Sequence, residues 1–586
     1  MIVKSLMWKA ECDLKKPITS KALKPVILFF LDNRSFLSLL INIILFSLFF
    51  FLFTPRFAIN DDPAMMRIAS GELLGEPNEH LIFINVIIGH FLKFMYEILP
   101  QLNWYVLFFY ICHFISMVVV LGVFLRNKIS FYNILLYLLL FVLVEVHFLT
   151  NLQFTTTAFV VGTSGFLLLF SIEDKLLIDK WPGLSMGIIL LLLSSLIREN
   201  VFYALLLLWV PLISYRVYIN KAYQRIIPVA IAVTLVFLAN YYDSNHYNKQ
   251  PDWEYYSQYN SLRANLTDYP QFAYNENTKD VYEHVEWSEN NVNMFRAWSF
   301  ADREVFPLKD LEYIVENIDP VYTGPINIFN HIYFILRYLD SRGLWFIILV
   351  FTIASITVRK QEKYHLFIAL LMLLVVTVYL SYIGRLPPGR VLYPLIYNTC
   401  VISIFYLTNY SNNIFEKYSV RKSLKYFIHI ILSVIIVAIF FVEGRNSMIN
   451  KYVQERIDYN REQLAADRYI YATWPHPGMF YPMIFSEYHT FSFITKNDGY
   501  NVKTLPYGGS LSHSPHHNKV YSNHSIENIY IDLAERDDIL LIAHPYMVQH
   551  NLIEFMEENY GIKVEAVPVS ITDDIPAFHI SRIETE

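Results

Sequence analysis

Long apolar runs, separated by polar connections, recur along most of the 586-residue chain. Each run is about 20 residues long, which is the length that an α-helix needs to cross the hydrocarbon core of a bilayer. The pattern predicts a polytopic α-helical membrane protein with about eleven transmembrane helices. The predicted spans lie near residues 35–54, 104–125, 130–148, 153–171, 183–199, 201–217, 226–242, 343–358, 364–383, 391–408 and 425–443.

The apolar segment 81–99 is interpreted differently, because His90, Lys93 and Glu97 interrupt it. We expect a helix that lies at the outer membrane interface. Counting this segment as a span would invert every later connection and place the lysine and arginine clusters of the inner loops outside. Cytoplasmic loops are the ones that carry an excess of lysine and arginine, so the sequence favours the interfacial helix.

The same charge bias orients the chain. The first 34 residues are basic, and the apolar run that follows them is too long for the core of a cleavable signal peptide. We expect a cytoplasmic N-terminus at residues 1–34, a transmembrane domain at 35–443 with outer loops at 56–103 and 243–342, and a C-terminal domain at 444–586 outside the cytoplasm.

The C-terminal segment 444–586 has a different pattern from the membrane part. A polar helical stretch is followed by short strand-like runs, with a helix-like segment around 547–559 between them. This alternation predicts a small extracytoplasmic α/β domain. The strand-like runs read IYATW, DILLIAHP, VEAVPVS and AFHISRI.

Composition agrees with the membrane assignment. Hydrophobic residues make up 55% of the chain and charged residues 17%, whereas soluble domains carry about 25% charged residues. The formal net charge of −6 gives no reason to expect a nucleic-acid partner. Cys12, Cys112 and Cys400 all lie outside the long outer segments, so no disulfide framework is predicted there.

Candidate chemistry gathers at the outer ends of the spans. Asp61 and Asp62 follow the first span, and Glu76 and His80 lie further along the same loop. Arg198 and Glu199 end the run LLLSSLIREN, where a charge at the membrane edge is costly and tends to be paired or functional. The segment GRLPPGRVLYP adds Arg385 and Arg390, and Glu145 and His147, near the end of the third span, either line a cavity or form a buried pair.

The outer loop and its neighbours resemble the integral-membrane glycosyltransferases of the GT-C class. The matching stretches are NDDPAMMRIASGELLGEP, HLIFINVIIGHFLKFMYEILPQLNWY and LIREN. The resemblance implies a polyprenyl-phosphate-linked sugar as donor, a glycan or lipid-linked acceptor, and reaction at the outer face of a bacterial-type inner membrane. Asp61 or Asp62 would be the base, and Arg198, Arg385 and Arg390 would hold the lipid phosphate.

Other readings of these residues stay open. Adjacent aspartates after a helix also form solvated turns or helix caps, and the arginines could anchor lipid headgroups. We lean slightly towards Asp62 as the base because it precedes Pro63. A divalent cation held by the aspartates with Glu72 or Glu76 is also possible. Trp298 and Asp302, in the loop 243–342, are candidate sugar contacts, and His513, His516 and His517 do not suggest a metal site.

Two other functions compete with the glycosyltransferase. A polymerase of lipid-linked repeat units would share the membrane setting and the phosphate-binding arginines. A non-enzymatic lipid or polysaccharide flippase would show broken helices or an internal repeat. The predicted spans are mostly unbroken apolar runs with charges at their outer ends, which favours a surface-facing active site.

Overall fold

The computed structural model describes the chain in several stretches. They comprise residues 34–172, 181–319, 350, 352, 354, 358–382, 388–410, 422–466, 468–474, 503–572 and 575–583, with the backbone alone at 422–443. The fold of these residues is mostly helical.

Ten helices make up the first part of the chain, between residues 34 and 247. A π-helical turn at Phe141–Glu145 joins the fifth and sixth helices. Two short parallel strands, β1 (Arg56–Phe57), which precedes the second helix, and β2 (Asn151–Leu152), which follows the sixth, pair with each other. The helices are α1 (Arg34–Leu52), α2 (Asp61–Ser70), α3 (Val86–Ile98), α4 (Trp104–Phe124), α5 (Phe131–Leu140), α6 (Val146–Thr150), α7 (Phe154–Ser171), α8 (Trp181–Ile197), α9 (Glu199–Asn220) and α10 (Ile226–Tyr247).

The polar segment after α10 is also helical. Four short helices lie here, with a 3-10 turn at Pro270–Phe272 after the first of them. They are α11 (Pro251–Asp268), α12 (Lys279–His284), α13 (Glu289–Arg296) and α14 (Leu308–Asn317).

Three longer helices follow: α15 (Lys360–Tyr382), α16 (Gly389–Tyr410) and α17 (Lys422–Ala465). The predicted span 425–443 lies within α17, and most of the predicted span 343–358 lies outside the described residues.

Eight helical segments of the described chain are long and apolar enough to cross a bilayer, and α8, with 17 residues, is a shorter apolar helix. The eight coincide with eight of the predicted spans, while the total of eleven stays a prediction. The eight segments are Arg34–Leu52, Trp104–Phe124, Phe131–Thr150, Phe154–Ser171, Glu199–Asn220, Tyr223–Tyr247, Glu362–Leu380 and Gly389–Tyr410.

The segment predicted to lie at the interface contains the 13-residue helix α3. At 1.5 Å per residue this helix is about 20 Å long, which is short of the roughly 30 Å hydrocarbon core. Asn85 caps its N-terminus by accepting a hydrogen bond from the Ile87 backbone at 3.0 Å. The Asp243 carboxylate of α10 accepts another from the Val86 backbone at 2.6 Å, so α3 is fastened to the end of a spanning helix.

The C-terminal part of the chain contains a mixed five-stranded sheet in the order β4-β3-β5-β7-β6. Strands β3, β4 and β5 are parallel, and β7 runs antiparallel to β5 and β6. The elements are β3 (Ile470–Thr473), β4 (Thr504–Pro506), α18 (Pro515–Asn523), α19 (Ile529–Glu535), β5 (Ile539–Ile542), α20 (Pro545–Met547), α21 (Ile553–Tyr560), β6 (Val564–Thr572) and β7 (Ile575–Arg582).

Both faces of this sheet are covered at its centre. Alternate residues of a strand point to opposite faces, and all four residues of β5 are buried. On one face, Leu540 and Ile542 pack with Leu464 from the end of α17. On the other face, Leu541 joins the large core that includes Tyr530 and Phe555.

Hydrogen bonds fasten the C-terminal part to the helices of the loop 243–342. The Trp474 indole donates to the Ala297 carbonyl at 2.7 Å. Asn290 and Asn291 of α13 bond to Asn551 and Asn559, respectively. The loop and the C-terminal part therefore form one layer, and that layer supplies part of the site described below.

Candidate active site

Asp61 and Asp62 begin α2, and the helix turns their side chains in different directions. Successive residues of an α-helix point about 100° apart. The Asp62 side chain faces the protein interior and is fully buried, whereas the Asp61 side chain is 24% exposed. Adjacent carboxylates therefore have two different environments.

Asp62 is fixed by two hydrogen bonds to one oxygen. The Tyr105 hydroxyl of α4 donates to Oδ1 at 2.9 Å, and the Phe154 backbone N–H at the start of α7 donates to the same atom at 3.1 Å. Burial raises the pKa of Asp62 well above its ordinary value. These contacts suit a carboxyl group that holds helix ends together, and they do not support the lean towards Asp62 as the base.

Asp61 faces an arginine at the start of α16. A guanidinium nitrogen of Arg390 lies 3.6 Å from Asp61 Oδ2, and the Arg390 side chain is 33% exposed. Burial raises the pKa of the Asp61 carboxyl, and the charges of Arg390, Arg198 and Arg263 oppose that rise. Asp61 is thus an accessible carboxylate with three cations near it.

Arg198 lies between α8 and α9, as the residue before the first turn of α9. Its guanidinium lies over the rings of Phe83 and Phe154, at 5.6 Å and 5.3 Å from the ring centroids. Two aromatic faces at this distance stabilise the cation, and its charge works against the burial that raises the pKa of Asp61. The adjacent Glu199 is exposed and its nearest charged and polar partners are on α9 and α10, at Tyr203 and Asp243.

Arg263 is a member of this group that the sequence interpretation missed. It is buried on α11, with hydrogen bonds to Asn260 and to the Thr267 hydroxyl. Burial lowers its pKa, and the negative charge of Asp61 is among the neighbours that raise it. Arg263 follows buried Tyr256 and Tyr259 at helical spacing. This spacing places a cation on the apolar face of an amphipathic helix, and it is the pattern from which Arg263 could have been predicted.

Trp298 lies against Arg263, whose guanidinium is 4.6 Å from the centroid of the indole ring. The backbone of Trp298 is in the left-handed region, with φ of 65°, which costs a non-glycine residue free energy. The Gly509 N–H donates to the Trp298 carbonyl at 2.9 Å, and a Cβ on Gly508 would lie 2.1 Å from that oxygen. The C-terminal part therefore holds Trp298 in place, and only glycine fits at residue 508.

Two other predicted substrate contacts are engaged elsewhere. Asp302 accepts hydrogen bonds from the Asn528 amide, the Tyr560 hydroxyl and the Glu304 backbone. These contacts engage both of its oxygens and join the loop to the C-terminal part, so they give no support to its predicted role as a sugar contact. Glu76 is exposed and pairs with Lys519 of α18 at 2.6 Å, so its predicted role in binding substrate is not supported either.

His80 is also a packing residue in this structure. Its ring is buried and stacked on Trp253, with the centroids 4.6 Å apart, and burial lowers its pKa to about 4. The His80 carbonyl accepts a hydrogen bond from His516 of α18 at 2.8 Å. Neutral His80 thus seals the contact between the first outer loop and the C-terminal part, and the proposed direct contact with substrate is not supported.

The group that could hold a divalent cation differs from the predicted one. Among the described residues, Glu72 pairs with Arg67 and Arg461, so a site built from the aspartates with Glu72 or Glu76 is not formed. Instead, Glu79 Oε1 lies 3.9 Å from His80 Nδ1 and 3.8 Å from His246 Nε2. One carboxylate and two imidazoles are donors that suit Zn²⁺, and Lys93 orients the second Glu79 oxygen at 2.9 Å.

The three histidines of the loop before and within α18 are buried, and the rings of His513 and His516 are hydrogen-bonded to backbone carbonyls. His513 Nε2 donates to the Phe300 carbonyl at 2.7 Å, and Arg303 donates to His513 Nδ1. Burial lowers the pKa of His513 and His517 to about 3 and that of His516 to about 4. They are not among the groups of potential metal ligands in the described chain.

The structure therefore brings together Asp61, Arg198, Arg390 and Trp298 from the predicted set, and adds Arg263. Arg385 lies outside the described residues. Each member of the group is contributed by a different element, and Arg198 and Arg390 lie at the ends of predicted spans. This arrangement can bind an anion with the guanidinium groups while a carboxylate accepts a proton beside it.

Comparison with known proteins adds little to this geometry. No family model and no curated protein matches the chain. A crystal structure of ArnT from Cupriavidus metallidurans bound to undecaprenyl phosphate aligns over 92% of this chain and 97% of that one, with 8% identity and a TM-score of 0.37. Similarity at this level assigns neither a family nor a function.

Proposed function

We propose that the protein is a membrane glycosyltransferase that moves a sugar from a polyprenyl-phosphate-linked donor to a cell-envelope glycan or lipid-linked acceptor. The observation that supports the proposal best is the accessible Asp61 carboxylate, with Arg390 at 3.6 Å and the charges of Arg198 and Arg263 beside it. A base and a phosphate-binding group are the two parts that this reaction requires of the protein.

Asp61 is assigned as the base. The acceptor hydroxyl attacks the anomeric carbon, the new carbon–oxygen bond forms, and the bond from that carbon to the phosphate oxygen breaks. The hydroxyl proton passes to Asp61, and the bonding electrons leave with polyprenyl phosphate. A single displacement of this kind inverts the anomeric carbon. A pKa that burial raises towards the working pH makes Asp61 a better base than an ordinary aspartate.

The arginines are assigned to the lipid phosphate. Guanidinium groups bind phosphate through two parallel hydrogen bonds, which adds geometric specificity to charge. At 3.6 Å, the contact between Arg390 and Asp61 is longer than a direct hydrogen bond. A phosphate entering the site would take Arg390 as its partner and leave the Asp61 oxygen available to the acceptor.

Trp298 is assigned to the sugar. Its half-buried indole lies beside Arg263, and an aromatic face next to charged groups suits the apolar face and the hydroxyl groups of a sugar ring. The C-terminal part would act through Trp298 by holding its strained backbone. The proposal also assigns the protein to a bacterial-type inner membrane as an integral membrane protein, with its active site facing outward.

The test is sugar transfer by the purified full-length protein in proteoliposomes. Lipid extract from cells that make the protein supplies the donor, and release of free polyprenyl phosphate is measured with the anomeric configuration of the product. We expect release by the wild type, inversion in the product, and loss of release in Asp61→Asn. No release by the wild type, or equal release by Asp61→Asn, would contradict the proposal. Chains of many repeat units as product would favour a polymerase.

A further inference from the structure

A buried pair of ionisable side chains lies between the spanning helices, away from the Asp61 group. His113 Nδ1 of α4 and Glu145 Oε1 are 2.6 Å apart, and both side chains are fully buried. The sequence analysis left open whether Glu145 and His147 line a cavity or form a buried pair; in the structure His147 bonds to Asn151. Ionisable groups inside a membrane domain are costly and are retained where they are paired or functional.

Hydrogen-bond counting defines how His113 is held. The Thr157 hydroxyl of α7 donates to the Gln153 carbonyl at 3.1 Å, so it accepts from His113 Nε2 at 3.0 Å. The imidazole is bonded at both nitrogens and has one orientation.

Glu145 reaches this position through an irregular turn. It is the last residue of the π-helical turn Phe141–Glu145, which interrupts the span Phe131–Thr150. Such turns cost helical regularity and occur frequently at functional sites. Its second oxygen, Oε2, is buried without a hydrogen-bond partner in the described part of the chain. The irregular turn therefore places the Glu145 carboxyl against His113.

The two helices that His113 connects are the two that hold Asp62. Tyr105 on α4 and the first N–H of α7 donate to the same Asp62 oxygen. His113 lies eight residues, or about 12 Å, along α4 from Tyr105, and Thr157 lies one turn into α7 from Phe154. Helices α4 and α7 are therefore linked twice, once through Asp62 and once through His113 and Thr157.

We infer that His113 and Glu145 are positioning residues of the active site, which set the relation of α4 to α7 and through Asp62 the orientation of Asp61. The link to Asp62 passes along α4 to the Tyr105 hydroxyl and along α7 to the Phe154 backbone N–H, so it transmits the position of the two helices. The inference rests on the proposed function, because it is the catalytic use of Asp61 that gives this positioning its purpose.

The first test compares two buried threonines of α7. Thr157→Val breaks the contact with His113, and Thr163→Val removes a matched hydroxyl that bonds to Asn398 of α16. A misplacement of about 1 Å far from the chemistry can cost up to about 10²-fold in rate. We expect Thr157→Val to lower kcat about tenfold with little change in KM, and Thr163→Val to leave kcat unchanged. Equal kcat in the two variants would overturn the inference.

A double-mutant cycle tests whether the effect passes through Asp62. Tyr105→Phe removes one donor to Asp62, and residues acting through one unit give non-additive losses. The double variant Tyr105→Phe, Thr157→Val should lose less kcat than the product of the two single losses. Full additivity would show that His113 and Thr157 stabilise the bundle without positioning Asp61. Thr157→Val serves here because His113→Leu could prevent insertion.

A readout without turnover separates this inference from the proposed function. A water-soluble carbodiimide should label Asp61 and spare buried Asp62, with labelling quantified by mass spectrometry. We expect Thr157→Val to change the labelling rate of Asp61 at least twofold and Thr163→Val to leave it unchanged. That result with no sugar transfer by the wild type would reject the transferase and keep the positioning. An unchanged labelling rate in Thr157→Val would overturn the positioning itself.

Discussion

Two clusters of ionisable side chains differ in how their members are buried and hydrogen-bonded. In the arginine cluster, defined by Asp61, Arg198, Arg263 and Arg390, the side chains of Asp61 and Arg390 are partly accessible and lie 3.6 Å apart, while Arg263 is buried. In the histidine junction, defined by His80, His513, His516 and His517, every ring is buried. His513 and His516 donate to backbone carbonyls at 2.7–2.8 Å.

The difference separates groups that can act on a ligand from groups that pack the protein. Buried histidines with lowered pKa values are neutral at physiological pH and contribute hydrogen bonds and ring contacts. The accessible charged groups of the arginine cluster can form ion pairs with a charged ligand. The two clusters thus differ in exposure and in hydrogen bonding as well as in residue type.

The largest effect that we expect separates Asp61 from Asp62. Removing a general base typically costs about 10²–10⁴-fold in rate, so Asp61→Asn should lose that much transfer. Asp62→Asn should stay within about tenfold of the wild type, because burial already favours the neutral carboxyl and Asn keeps an oxygen that accepts from Tyr105. Transfer rates in proteoliposomes measure both. A larger loss in Asp62→Asn would reverse the assignment.

A smaller effect is expected from the phosphate-binding arginine. Arg390→Ala should raise the KM for the donor by about 10–10²-fold, since charged hydrogen bonds contribute roughly 1.5–3 kcal/mol each. Arg390→Lys should recover part of the loss, because a lysine restores charge without the bidentate geometry. Arg582→Ala, which removes an exposed arginine paired with Glu535 at 3.8 Å, is the control. Matching KM values in Arg390→Ala and the control would remove Arg390 from the site.

Metal binding would give His80, a member of the histidine junction, a role as a ligand. Zn²⁺ that binds the folded state at Glu79, His80 and His246 stabilises it by mass action. We expect added Zn²⁺ to raise the apparent Tm of chelator-treated protein by a few degrees, and to have no effect on His246→Ala. A Tm shift of the same size in His246→Ala would place the ion elsewhere.

The smallest effect concerns the acid stability of the histidine junction. The pKa of His517 is lowered to about 3 by burial, while an unfolded chain has a histidine pKa of about 6.5. The unfolded state therefore binds more protons below about pH 6.5, and stability falls as the pH drops from there towards 3.

His517→Phe tests this pH dependence. The substitution removes a titrating group and keeps an aromatic ring against Tyr521, whose centroid lies 3.9 Å from that of His517. We expect the variant to lose fewer degrees of Tm than the wild type between pH 7 and pH 5, by about one or two degrees. Parallel Tm profiles for the two proteins would show that His517 is not the buried neutral group described here.

Much of the architecture could be predicted because it follows from local sequence. Apolar runs of spanning length predicted the eight candidate spans of the described chain, and the interruptions in 81–99 predicted that this segment is not a span. The strand-like runs marked β3, β5, β6 and β7. The three-residue strand β4 has too few residues to show an alternation, and its place beside β3 is a long-range pairing.

The site was only partly predictable, because its contacts join residues far apart in sequence. The side chains of Asp61 and Asp62 point about 100° apart around α2. Which of the two faces the interior depends on contacts with Tyr105 and Phe154. A pair of Glu145 with nearby His147 was one of two alternatives, and its partner in the structure is 32 residues away at His113. Asp302 had a suitable residue type, but its Oδ2 accepts hydrogen bonds from distant Asn528 and Tyr560.

The most direct measurement of the central claim is protection of Arg390 by a lipid phosphate. Phenylglyoxal modifies accessible guanidinium groups, and mass spectrometry reports modification at Arg390 and, as an internal control, at the 57% exposed Arg582. We predict that a long-chain polyprenyl phosphate slows modification of Arg390 at least tenfold, that the matching polyprenol does not, and that Arg582 reacts equally in all samples. Equal modification of Arg390 with the phosphate and with the alcohol would contradict the assignment of this cluster as a polyprenyl-phosphate site.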